Sequence, residues 1–187
     1  MTIPYWQKEP IAIPDEVGLL IGLLQDPLRN HKLLHVVSKD NILRKKPETF
    51  VELTSILVKK VGFENMIKNE PLPPDGTPGY AWESQIEFHC IGHRDGYINY
   101  PPPAPGQPDS GTTRWDGAEN YLQVMAWLVH TILSENRQLQ SETTPSFNID
   151  DIQPVGYEYN DYGYEGTKDV WAIMLRYKVS FEMVVRV

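Results

Sequence analysis

The segment His89-Cys90-Ile91-Gly92-His93 puts one thiol and two imidazoles within five residues, the donor types that bind zinc. On an extended strand, adjacent side chains point to opposite faces, so His89 and Cys90 cannot converge on one ion. His93 follows Gly92, where the chain can turn away. A structural zinc site commonly takes four ligands in two close pairs, and His31, His35 and His130 form no second pair. The segment therefore reads as a core cysteine between surface histidines. Cys90 shares the apolar parity of Phe88, which predicts a buried, inert thiol. Other nucleophile signatures are missing: no G-x-S-x-G elbow occurs. Phosphate-binding loops of the G-x-x-x-x-G-K-[ST] or G-x-G-x-x-G kind are also missing.

Carboxylates are the remaining chemical resource. Asp150-Asp151 and the series Glu158, Asp161, Glu165 could serve as a general acid and base, or hold calcium. They lie in turn-rich sequence where their pKa values should be ordinary, and the EF-hand spacing is lacking. The sequence thus predicts no catalytic residue, no cofactor and no metal site, and it does not read as an enzyme. Aromatics are plentiful: Tyr157, Tyr159, Tyr162 and Tyr164 form an aromatic hairpin, supplemented by Trp82, Trp115 and Trp171. Aromatics on loops and hairpins anchor protein interfaces; cross-strand packing accounts as readily for Tyr157 and Tyr159.

Charge narrows the class of partner. The formal net charge is −8, the wrong sign for gripping a nucleic-acid backbone through Lys and Arg. Between 141 and 169, seven acidic residues face one base, Lys168, which reads as a solvated loop face. With 41% hydrophobic and 22% charged residues the chain is globular, and 187 residues suit one domain with insertions. One cysteine excludes a disulfide scaffold. The start, Met1 to Trp6, lacks the basic and apolar regions of a signal peptide, and Val17 to Leu24 is too short to span a bilayer. Synthesis in the cytoplasm and no membrane partner are expected.

The elements that must position these residues follow from periodicity. A helix is predicted from Pro14 to Gln25, with Val17, Leu20, Ile21 and Leu24 as its apolar stripe. Lys32 to Val37 is short and apolar, as a buried strand would be. Residues 48–61 are ambiguous. Phe50, Leu53, Leu57 and Val61 line a helical face and Thr49 with Glu52 makes a capping box, but Thr54 to Val58 is rich in strand formers. Periodicity favours helix. The proline-rich stretches 69–79 and 92–115 read as loop insertions in a single domain spanning 1–187. Between them, Trp82, Ser84, Ile86, Phe88 and Cys90 alternate with polar residues as a half-buried strand does. The strongest helix is predicted from Asp116, its cap, to Asn136, with Ala118, Leu122, Met125, Val129 and Ile132 buried and Trp127 and Leu128 widening the stripe. Residues 138–148 read as polar linker, 152–159 as a strand, and 160–163 as a tight turn.

The clearest pattern closes the chain. Trp171, Ile173, Leu175, Tyr177, Val179, Phe181, Met183, Val185 and Val187 share one parity, so 171–187 is a strand with one core face and one largely wet face. At about 3.3 Å per residue that run reaches roughly 56 Å, against a diameter near 40 Å for a chain this long. It must bend or bulge, or leave its own sheet and meet a neighbour. The predicted fold class is α+β: a mixed or antiparallel sheet, helices packed on one face as an α/β-sandwich, and a long C-terminal strand.

An N-terminal amphipathic helix, a middle strand at Trp82–Ile91, one long helix at Asp116–Asn136 and a closing hairpin ending in Trp171–Val187 together resemble the tail-terminator proteins of tailed bacteriophages, and related head–tail connector and tail-completion subunits. The similarity is one of layout and covers most of the chain outside the two loop insertions. It implies a non-enzymatic virion subunit at the tail–neck junction, in a homo-oligomeric ring, usually a hexamer. Such a ring caps the tail tube, ends tail polymerisation and joins the tail to the neck. Its implied partners are further copies of itself, the tail tube with the sheath protein as a further candidate, and a neck connector. DNA would pass through the lumen without specific binding, which suits an acidic wall. The interface residues expected on physical grounds are Arg176, Lys178, Glu182 and Arg186 on the wet face of the last strand, with Trp115, Tyr162 and Tyr164 on loops. The competing readings are another neck or baseplate subunit, and a small ligand-binding domain or enzyme.

Overall fold

The computed structural model describes residues 15–44, 54–66, 79–102, 111–140, 147–160 and 169–184. Their order is α1 (Glu16–Leu24), α2 (His31–Val36), β1 (Ile42–Leu43), β2 (Ser55–Met66), β3 (Gly79–His93), β4 (Tyr97–Tyr100), β5 (Thr113–Asp116), α3 (Ala118–Glu135), β6 (Leu139–Gln140), β7 (Phe147–Asn160) and β8 (Val170–Val184). Six strands form one sheet in the order β1-β2-β3-β8-β7-β6, and β4 with β5 makes a separate two-stranded sheet. Only β1–β2 is parallel; the remaining ladders of the large sheet are antiparallel. The fold is α+β, as the sequence predicts, with the three helices contributing to one core against one face of the sheet.

Burial follows the period-two pattern. Ile86, Phe88 and Cys90 of β3 and Ile173, Leu175, Tyr177, Val179 and Phe181 of β8 face the helices and are buried. From α3 they meet Leu122, Met125, Val129 and Ile132. Trp127 departs from the expected stripe: it lies on the outward side of α3 and is 55% exposed. The start of α3 also differs. Asp116 ends β5, and Gly117, at φ 78°, turns the chain into the helix without a side-chain cap. Asp116 instead accepts a 2.7 Å hydrogen bond from Arg114 Nε.

Four further expectations are corrected. Lys32–Val37 is mostly helix, not strand, because Leu33 and Val37, four residues apart, both enter the core. Within 48–61, the described part from Ser55 onward is strand. Ser55 to Val58 are all buried, so β2 is covered on both faces there and shows no alternation. The Thr49–Glu52 capping box and Phe50 lie outside the described residues, as does most of 69–79. The loop expected at 92–115 contains the β4–β5 hairpin, with Ile98 buried opposite Trp115. The linker at 138–148 supplies β6, which pairs with Asn148 and Ile149.

Over its described residues, the closing strand stays inside its own subunit. Val170 to Val184 pair with β3 along the whole length, and Ala172 to Met183 pair with β7 on the other side. β3 has 15 residues and β7 has 14, so the sheet itself is long enough to hold β8 along its length. The alternative that the last strand leaves its sheet to meet a neighbour rested on a round body. β3 and β8 form the centre of the sheet, and its edges among the described residues are elsewhere. The antiparallel pairing of β7 with β8 is as predicted; residues 161–168 of the connecting turn lie outside the described residues.

Candidate protein interface

The face of the sheet turned away from the helices carries a ladder of charge built by strand parity. Glu83, Gln85, Glu87 and His89 project from β3, and Arg176 and Lys178 from β8, with Glu87 and Arg176 directly opposite. Arg176 Nε donates to Glu87 Oε1 at 2.9 Å and its Nη2 to Glu158 Oε2 at 2.7 Å, so one guanidinium ties three strands together. Lys178 Nζ lies 2.6 Å from Glu83 Oε2. His89 Nε2 is 2.9 Å from Glu87 Oε2. The carboxylates of Glu83 and Glu87 are 7% and 15% exposed, and the cations above them 42% and 46%. Contrary to the sequence expectation, His89 is buried rather than on the surface, since the outer face is covered at that level. Next to it Leu57, Ile91, Val170 and Ala172 form a second, smaller core.

Two of the seven expected interface residues, Arg176 and Lys178, therefore share one face, but each is committed to carboxylates of its own subunit. Trp115 is 38% exposed and sits on the separate β4–β5 sheet. On the same hairpin, the Arg114 guanidinium lies 3.9 Å over the exposed Tyr97 ring. Tyr162, Tyr164, Arg186 and the side chain of Glu182 lie outside the described residues. The sequence reading missed that the sheet leaves Val61 and Val155 in solvent, at 53% and 65% exposed; Tyr157, named there in the aromatic hairpin, is 76% exposed. A signal existed. Val155 stands between Pro154 and Gly156, and Val61 precedes Gly62; both are skipped by the ladder, as at a β-bulge.

Glu87 connects this face to pH. Burial pushes its carboxyl up, but hydrogen bonds and charge attraction from Arg176 and His89 outweigh that and hold it below its ordinary value of 4.5. A group whose folded pKa is depressed stabilises the protein above its unfolded pKa, and that stabilisation is lost as pH falls through the folded value. The urea midpoint is accordingly expected to fall on acidification below pH 4.5, and to fall less in Glu87→Gln. Equilibrium unfolding of both proteins across that range checks this.

On the helix side, Glu16 at the start of α1 is 2% exposed. It accepts from Ser84 Oγ at 2.9 Å and meets Lys60 Nζ at 2.6 Å, so one carboxylate fastens α1 to both β2 and β3. The cleft beside it, about 410 Å³, is open and also lined by Asp15 and Arg44, which pair with each other. Glu16→Ala is expected to destabilise by about 2 kcal/mol, less than a fully buried pair because Lys60 remains 37% exposed. Glu16→Gln, which keeps an acceptor for Ser84, should cost less; chemical denaturation measures both.

Cys90 is fully buried and its thiol is pushed up to about 12, leaving no useful thiolate at neutral pH. No group of three His, Cys, Asp or Glu side chains among the described residues is placed to hold a metal ion. No helix among them is long and apolar enough to cross a membrane. In comparisons with known proteins, no family model and no curated protein matches this chain.

Proposed function

We propose that this protein is a structural virion subunit, not an enzyme, forming a ring that caps a phage tail tube, ends tail polymerisation and joins the tail to the neck. The observation that carries the reading is the sheet itself. Four long antiparallel strands run β2-β3-β8-β7, and the short β1 and β6 cover only the first residues of β2 and of β7. Among the described residues, both outer strands therefore present long stretches of backbone with no strand beside them. A sheet with two such edges is suited to assembly with other chains.

Electrostatics supports the same reading. Arg176 and Lys178 are two of the cations on the sheet face turned away from the helices, and both are already held by Glu87, Glu158 and Glu83. Cations neutralised by fixed carboxylates release few counterions on meeting phosphate, so they grip it weakly. With a net charge of −8, a lumen built from this chain would let DNA slide.

Adding the purified protein to polymerising tail-tube subunits tests the role. The expected result in negative-stain images is extra density at one tube end and arrested growth. Tubes that keep elongating with bare ends would contradict it.

A further inference from the structure

One carboxylate on the outer face of the sheet serves two basic side chains at once. Glu87 Oε1 accepts from Arg176 Nε at 2.9 Å, and Glu87 Oε2 faces His89 Nε2, also at 2.9 Å. The two bases differ in their access to water. Arg176 is 46% exposed, whereas the His89 side chain is 5% exposed. His89 stands at a boundary. On the Glu87 side lies the charge ladder; on the Ile91 side lies the small core of Leu57, Ile91, Val170 and Ala172. Leu57 is directly opposite His89 on β2, and Ala172 is opposite Ile91 on β8. The charged groups that share this face with His89 are Lys59 of β2 and Arg176 of β8, both level with Glu87, and Glu158 of β7, which is bonded to Arg176.

We propose that Glu87 and His89 form an acid-operated latch on the small core, released when both carry a proton. While Glu87 is ionised, a proton added to His89 makes an ion pair, and the face stays closed. Once Glu87 is neutral as well, an imidazolium is left between apolar side chains and two cations, without the carboxylate it faced. Keeping such a charge out of water costs more than uncovering a four-residue core. The closed face then binds fewer protons than the open one, so its stability falls with pH. Arg176 and His89 together hold the Glu87 carboxyl below 4.5, which puts the release in acid. The device belongs to the single chain and does not depend on what that chain assembles with.

Substituting each member moves the release differently. In Glu87→Gln the carboxylate is gone at every pH, so the closed face excludes the imidazolium. Opening then begins as pH falls through the ordinary histidine range, about 6.5. The further fall below 4.5 is smaller, in line with the urea midpoints expected above. In His89→Gln no cation forms at this place, and Arg176 can turn to water, so acid does not open the face. Residue-resolved amide hydrogen exchange at about pH 7, 5.5 and 3.5, expressed as protection relative to the unfolded chain, tests this. In the parent protein, Leu57, Ile91 and Ala172 are expected to stay protected at pH 5.5 and to lose protection at least about tenfold at pH 3.5, while Val129 and Leu133 of α3 keep theirs. Glu87→Gln should show the same selective loss already at pH 5.5, and His89→Gln should not show it at all. Undiminished protection at pH 3.5 in the parent would overturn the latch, as would an equal loss in α3, which is global unfolding. So would a Glu87→Gln protein that stays closed at pH 5.5, or a His89→Gln protein that opens like the parent. The parent and Glu87→Gln decide the matter even if His89→Gln does not fold.

Discussion

Phe88→Ala is expected to lower the stability of the fold by about 3–5 kcal/mol, a large share of what a domain of this kind has in total. Phe88 lies at the middle of β3 with no solvent exposure, between Val58 of β2 and Leu175 of β8 in register. Its ring meets Tyr177 edge-to-face, with centroids 5.5 Å apart and planes at 86°. That contact adds to the apolar area lost on truncation. Tyr177 in turn lies 2.6 Å through its hydroxyl from His130 Nδ1, so the cavity would open beside a polar tie between β8 and α3. Phe88→Leu keeps most of the volume and should cost less than about 1.5 kcal/mol. Guanidinium denaturation should give lower midpoints for both with unchanged slopes.

The second large effect comes from overfilling. Gly92, near the end of β3, lies against Tyr121 of α3. A Cβ at this position would fall 2.6 Å from Tyr121 Cζ and 2.7 Å from Cε2. The ring has little room to yield, because it is 1% exposed and its hydroxyl donates to the His93 carbonyl at 2.7 Å. Gly92→Ala must displace either the strand or the helix, at an expected cost of about 3 kcal/mol. Tyr121→Ala alone should also destabilise, by leaving a cavity. Combined with Gly92→Ala it should cost markedly less than the two separate losses together, because the added methyl then has space. A double-mutant cycle on unfolding free energies measures that coupling; strict additivity would show that the contact does not limit the packing.

What could be read from the sequence followed from how each residue is covered. β8 and the centre of β3 were legible because one face of each meets the helices and the other is largely polar, which writes period two into the chain. The body of α3 was legible for the matching reason at period 3.6, apart from Trp127, whose apolar character serves no contact in the core. β2 was not legible: at Ser55–Val58 both faces are covered, and the bulge at Val61 puts an apolar residue where a regular strand would not. α2 is only six residues long, too short for a period to emerge. The β4–β5 hairpin joins segments on either side of a proline-rich stretch, where no alternation announces a strand.

The candidate interface was half legible. Parity correctly put Arg176 and Lys178 on the face away from the helices, but it could not supply their partners. Glu87 lies 89 residues earlier in the chain than Arg176, and only the β3–β8 register brings the two together. For the same reason the edges of the sheet could not be read. The length of the last strand left open that it meets a neighbour, whereas strand order places it near the centre, with β2 and β7 flanking the long pair and the short β1 and β6 outermost.

The central claim, a proposal, is that this chain assembles with copies of itself through a sheet in which, among the described residues, β2 and β7 are only partly covered by neighbouring strands. Its most direct test is the native mass of the purified protein, measured across a wide concentration range and again with tail tubes present. The account predicts one discrete multiple of the subunit mass, forming in solution or on the tube end. A particle that keeps the mass of a single chain at every concentration, and leaves the tubes unbound, would contradict it.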